Sequence, residues 1–183
     1  MKNAKLKYKK FNTFHSPLYT FHFDVPCFIL VGGRSSRFGS EKDDKALLFY
    51  KLQYDKCKKI FKNVYFAAKY KKFRNYPFFI EKSDIYAPLP ALEEIVKKYK
   101  KIFILSVDTP NINEKSIIKL LRKKSVASDN PLIGYYDYTM LPKIRENLKG
   151  KMRIFDINKR KTVINKKELV NINTLDDLNR LSC

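Results

Sequence analysis

Apolar residues along this chain gather into short blocks that stop at glycine, proline or charge. Cys27–Val31, Val64–Ala68, Phe78–Glu81 and Ile102–Val107 are brief, β-branched or aromatic, and bounded by turn or charged residues. That is the pattern of strands buried in a sheet. Between them the period lengthens. Ala46–Phe61 places Leu47, Leu48, Leu52 and Ile60 on one broad helical face, and Ala91–Tyr99 places Leu92, Ile95, Val96 and Tyr99 on another. Glu114–Lys123 gathers Ile117, Ile118, Leu120 and Leu121, with Asn113 as its N-cap. A further helix is expected from Thr139 through Leu141, Ile144 and Leu148, with Gly150 in the C′ position. The last begins at Thr174, which stands in capping-box spacing with Asp177 ahead of Leu178 and Leu181.

Strands alternating with helices predict parallel pairing and ligands bound outside the carboxyl ends of the strands. The fold class expected is therefore α/β, a mostly parallel sheet flanked by helices. One domain is expected over residues 25–183, since neither a repeat nor a linker interrupts it. Residues 1–24 form a leading extension, either flexible or carrying an added strand at Tyr19–Phe23.

Composition narrows the class. With 183 residues, 44% hydrophobic and 14% aromatic, the chain has material for a core burying about 70% of its unfolded surface. No apolar run nears the roughly 18 residues of a membrane span, and the basic N-terminus lacks an apolar core and cleavage site for a signal peptide. Cys27, Cys57 and Cys183 are odd in number and widely spaced, which fits reduced thiols in a cytoplasm and no zinc site. The net charge of +21 comes from 31 lysines against 8 arginines, spread along the whole chain. Scattered lysine reads first as a solvated surface. A nucleic-acid face and a field that draws in small anions are the other readings. His15 and His22, the only histidines, fall in the extension and need no chemical role.

Two features carry chemistry. The first strand runs into Gly32-Gly33, followed by Arg34, Arg37, Lys42 and Lys45, with Gly39 as a second flexible point. Glycine lets backbone N–H groups approach an anion closely, and the cations can neutralise phosphate. Neither the Walker pattern nor G-x-G-x-x-G is present, so a purely structural turn stays open. The second is ILSVDTPNI, where Ile104, Leu105 and Val107 precede Asp108 at a strand end. An acid there can hold Mg²⁺ on nucleotide phosphates, or simply open a turn with Thr109 and Pro110.

LVGGRSSRFG followed by DKALL resembles the glycine-rich signature of the molybdenum cofactor guanylyltransferases, written LAGG, three variable residues, RMG, then DK. SVDTP is similar to that family's CDTP, NINTLDDL to its terminal NINTPEDL, and PLIGYYDYTMLPKI to the stretch before its late helix. The matching segments run in order over most of the chain. The resemblance implies a single-domain Rossmann-like fold of the nucleotide-diphospho-sugar transferase type. It also implies transfer of GMP from Mg·GTP onto the phosphate of molybdenum-bound molybdopterin, with release of pyrophosphate. Carried over by position, Leu30, Val31, Gly32, Gly33 and Arg34 contact the nucleotide, Lys45 is the motif lysine, Asp108 binds Mg²⁺, and Arg37 and Lys45 are the catalytic cations beside Asp108. Asn171 and Asn173 fall on the pterin side. The implied partners are GTP and molybdenum-molybdopterin, with transient contact to molybdenum insertion proteins or apo-molybdoenzymes, and neither nucleic acid nor membrane.

The chain departs from the family pattern at several points. Two extra residues separate Gly39 from Asp44-Lys45, so Lys42 competes with Lys45, which is preferred because ALL follows it. Ala87-Pro88-Leu89-Pro90-Ala91 stands where the family has Gly-Pro-Leu-Ala-Gly, and Lys69 where it has Asn. The family's Asp after its third strand corresponds to Asp84 or Glu81, and Asp84 is preferred as the aspartate. Two alternatives follow: a nucleotidyltransferase using CTP or a sugar or polyol phosphate acceptor, and a non-catalytic basic binding protein.

Overall fold

The short apolar blocks become strands of one sheet. The computed structural model describes residues 22–32 and 45–172, and its elements follow the expected order: β1 (Cys27–Leu30), α1 (Lys45–Lys58), β2 (Val64–Ala68), β3 (Phe78–Ile80), α2 (Pro88–Tyr99), β4 (Lys101–Ser106) and α3 (Glu114–Arg122). The less regular second half supplies β5 (Val126–Ala127), β6 (Gly134–Asp137), α4 (Leu141–Lys149) and β7 (Lys161–Thr162). The sheet order is β3-β2-β1-β4-β6-β5-β7. Its pairs are parallel except where β6 meets β4 and β5, so β6 alone among the described strands opposes the rest.

Alternation along each strand divides the core between two faces. Cys27 and Ile29, with Phe103 and Leu105, pack among Phe49, Cys57, Ile117 and Leu120 from α1 and α3. Phe28, Ile102 and Ile104 pack on the other face among Leu92, Ile95, Leu141 and Ile144 from α2 and α4. Three strands end a residue or so before the apolar blocks do, yet Val31, Glu81 and Val107 still donate across to Ala67, Ala68 and Leu30 carbonyls.

Three expectations need correction. The inward face of α1 is not the leucine face: Leu48 and Leu52 are each 50% exposed, while Phe49, Gln53 and Cys57 are buried. A glutamine occupies the centre of that buried stripe because another segment supplies its partners, described below. Helix α2 starts at Pro88, not Ala91, since proline is accommodated in the first turn where its missing N–H is no loss. Gly150 follows α4 but is not left-handed, at φ −132°; the positive φ falls on Met152, whose N–H returns to the Asn147 carbonyl. Of the added strand at Tyr19–Phe23, Phe23 forms a single parallel bridge to Phe61. His22 is exposed, with Nε2 3.1 Å from the Lys58 carbonyl oxygen, and forms no strand pairing. Tyr19, Thr20 and Phe21, and the helix from Thr174, lie outside the described residues.

Gly134 is required by β6. Its φ is +153°, and a Cβ there would lie 2.4 Å from the Val126 Cα. Only glycine lets β5 approach this closely.

Candidate nucleotide site at the carboxyl edge

Strand β1 is followed by β2 and β3 on one side, and the chain then returns to lay β4 on the other. The crevice between β1 and β4 is thus the point where strand order reverses, the usual ligand position in an open α/β sheet. Leu30 pairs with Ser106, and two residues further along each strand stand Gly32 and Asp108. The glycine turn and the acid, 76 positions apart by their numbers, therefore face the same crevice edge. Gly33, Arg34, Arg37 and Lys42 lie outside the described residues, and Lys45 marks the backbone start of α1.

Asp108 is half-buried and held by its surroundings. The Ser106 hydroxyl donates to its Oδ1 at 2.5 Å, and the Thr109 hydroxyl donates back to the Ser106 carbonyl at 3.0 Å. Helix α1 grips the following turn. Gln53 Nε2 donates to the Thr109 carbonyl at 2.7 Å, and Lys56 Nζ to those of Pro110 and Ile112 at 2.8 and 2.6 Å. Burial lowers the Lys56 ammonium pKa to about 8, against the opposing pull of Cys57, Glu114 and Glu168. From the far end of the chain, the Ile172 N–H donates to the Asp108 carbonyl at 2.8 Å. Its neighbour Asn171 accepts from Asn130 Nδ2 at 3.3 Å, which brings the expected acceptor-side residue to the same edge. Asn173 lies outside the described residues.

Among the described residues, no three His, Cys, Asp or Glu side chains converge as a metal cage. One carboxylate at a strand end fits Mg²⁺ in another way. That ion commonly takes one or two carboxylates and completes its shell from substrate phosphates and water.

A second polar cluster borders Gly32. Lys69, just after β2, lies with Nζ 3.3 Å from Glu81 Oε2, just after β3, and both side chains are largely buried, 13% and 6% exposed. Lys69 also donates to the Ser83 carbonyl and sits over the Tyr86 ring, 5.6 Å from its centroid. Burial raises the Glu81 pKa, with Lys69 opposing the shift. A Cβ on Gly32 would lie 3.3 Å from Glu81 Oε1. Leu30, Gly32, Lys69, Glu81, Tyr86 and Ala87 line a small recess of about 30 Å³, room for water but not for a nucleotide. Asp84 is exposed and does not line that recess, whereas Glu81 does. The segment lacking the expected glycines, residues 87–91, forms the N-cap and first turn of α2, with Leu89 and Ala91 buried, and glycine there would weaken the helix. Sequence reasoning missed Gln53, Lys56 and the Lys69–Glu81 pair. The one available signal was lysine at the position where the resemblance has asparagine.

Comparison with known proteins agrees with this fold. A family described as MobA-like NTP transferase domain matches residues 27–160. A molybdenum cofactor guanylyltransferase of Campylobacter jejuni strain RM1221 is 37% identical over 131 residues, 62% of this chain and 69% of the relative. Another, of Helicobacter pylori strain G27, is 29% identical over 180 residues, 84% of this chain and 90% of the relative. The crystal structure of molybdopterin-guanine dinucleotide biosynthesis protein A from Archaeoglobus fulgidus superposes with a TM-score of 0.70, covering 85% of this chain and 96% of its own. At 17% identity that likeness is one of fold.

Proposed function

The chain belongs to the MobA-like NTP transferase family, and from that premise we propose that it transfers GMP from GTP to the phosphate of molybdenum-bound molybdopterin. The shared carboxyl edge of Gly32 and Asp108, each two residues past the paired Leu30 and Ser106, carries this reading, because the proposed transfer needs a phosphate turn beside an acid that can hold a metal. Relatives named for guanylyl transfer support the choice of nucleotide and acceptor.

In the proposed reaction an oxygen of the acceptor phosphate attacks the α-phosphorus of GTP in line. The bond from that phosphorus to the bridging oxygen breaks, and pyrophosphate leaves with the electron pair. Such a transfer requires positioning and charge neutralisation rather than a covalent nucleophile. Leu30, Val31, Gly32, Gly33 and Arg34 line the nucleotide in this reading, with Asp84 beyond the third strand as a further contact. Arg37 and Lys45 neutralise the departing pyrophosphate. Asn171 and Asn173 orient the acceptor. Asp108 is the residue that would hold Mg²⁺, which when bound spreads the charge of the phosphates.

The test supplies the full chain with Mg²⁺, molybdenum-molybdopterin and each of GTP, CTP and ATP. Pyrophosphate is measured alongside the mass of the dinucleotide product. A GMP adduct with stoichiometric pyrophosphate is expected. An adduct formed only from CTP or ATP overturns guanylyl transfer, and no adduct from any of them overturns the reaction class.

A further inference from the structure

The buried face of α1 carries two polar residues, Gln53 and Lys56, beside Phe49 and Cys57. Gln53 has no exposed surface at all. A fully buried amide is costly unless its hydrogen bonds are made, and here they go to one target. Its Nε2 donates to the Thr109 carbonyl, while its Oε1 accepts from Lys56 Nζ at 3.2 Å. Lys56 spends its other donors on the Pro110 and Ile112 carbonyls. Three of the four carbonyls immediately after Asp108 are thus taken by two side chains of one helix.

Those carbonyls belong to neither a strand nor a helix, so without α1 they would lack protein partners of this quality. The three acceptors around Lys56 match the three N–H bonds of an ammonium group. The same helix begins directly after the glycine-loop segment, at Lys45. In chain order it thus follows the proposed phosphate turn, and its buried face lies against the acid's turn.

We propose that Gln53 and Lys56 are positioning residues, which lock the turn after Asp108 and so hold its carboxylate in register with Gly32 across the paired ends of β1 and β4. The contribution to nucleotide binding rests on the function proposed above, whereas the lock on the turn does not.

The experiment compares wild type with Lys56→Met and Lys56→Gln in the full chain. Hydrogen exchange reads the amides that follow Asp108, and GTP affinity is titrated both with saturating Mg²⁺ and in EDTA. Loss of hydrogen bonds to a charged donor should raise exchange at Asn111, Ile112 and Asn113 about tenfold in Lys56→Met. Exchange in β2 should be unchanged. Affinity for GTP in EDTA should stay at the wild-type value, while the gain on adding Mg²⁺ should shrink severalfold. Lys56→Gln, which keeps two neutral donors, should fall between the two and serves if the Met variant does not fold. Unchanged exchange in both variants overturns the lock. Faster exchange with an undiminished Mg²⁺ gain, or with equal weakening in EDTA, overturns the positioning role. A wild type that binds no GTP overturns the nucleotide reading and this role with it, while the exchange data still decide the lock.

Discussion

Lys69 and Glu81 form an ion pair 3.3 Å apart, just past the ends of the adjacent parallel strands β2 and β3, with Gly32, two residues beyond β1, beside the carboxylate. Neither residue is close to the other in sequence, and the pair occupies the recess beside the glycine turn. Removing one partner of a buried pair leaves a charge without compensation. Lys69→Met should therefore lower stability by about 2–3 kcal/mol, below the fully buried range because Glu81 can protonate. Lys69→Met combined with Glu81→Gln should recover much of that loss. Urea denaturation of the two variants checks this, and equal stabilities for the single and double variants would contradict it.

The raised Glu81 pKa has a defined sign in the pH dependence of folding. Its folded value exceeds its unfolded value, so the folded state binds more protons in the window between them. The stability this group contributes is present below the unfolded value near 4.5 and is lost as pH rises through the folded one. Wild type should lose ground relative to Glu81→Gln on going from acid toward neutral pH, as read by paired denaturation curves.

Lys56 should show the opposite trend at alkaline pH. Burial lowers its pKa from 10.5 to about 8, against the raising influence of Cys57, Glu114 and Glu168 and with Lys59 adding to the lowering. Between those values the unfolded chain binds more protons, so stability rises with pH. The stability of wild type minus that of Lys56→Met should increase between pH 8 and 10.5 and level off above. A flat difference would show that the ammonium is not desolvated by the turn it grips.

Asp108→Asn preserves the shape of the side chain and an oxygen to accept from Ser106, but removes the charge. Pyrophosphate release should fall by at least about 100-fold with the melting temperature nearly unchanged. Lys45→Ala should cause a comparable loss. Retained turnover in both variants would remove the catalytic reading of this edge.

Gly134→Ala tests the sheet rather than the site. The added methyl would stand 2.4 Å from the Val126 Cα, and φ of +153° is strained for alanine. A loss of about 3 kcal/mol is expected, measured by denaturant unfolding, because β5 must move away from β6 or β6 must abandon β4.

Local regularities were legible in the sequence because each is contained in a short window. The blocks at Cys27–Val31 and Ile102–Val107, separated by helical periods, were enough to specify parallel pairing. Parallel pairing in turn placed Gly32 and Asp108 together at the carboxyl edge. The Asn113 cap was equally local, its Oδ1 accepting the Ser116 N–H three residues on. Strands β5 and β7 escaped notice because two residues cannot display a period, and each is a strand only by virtue of its neighbours. The inward face of α1 was misassigned toward Leu48 and Leu52 because hydrophobicity alone cannot foresee a buried glutamine. Gln53 turns inward only because the Thr109 carbonyl, 56 residues away, waits there for its amide. The chain order of residue types thus determined the parallel half of the sheet, the crevice and the two chemical landmarks on its rim. Tertiary structure decided which polar side chains support them, since a buried Gln, Lys or Glu is stable only where distant backbone or charge completes its hydrogen bonds.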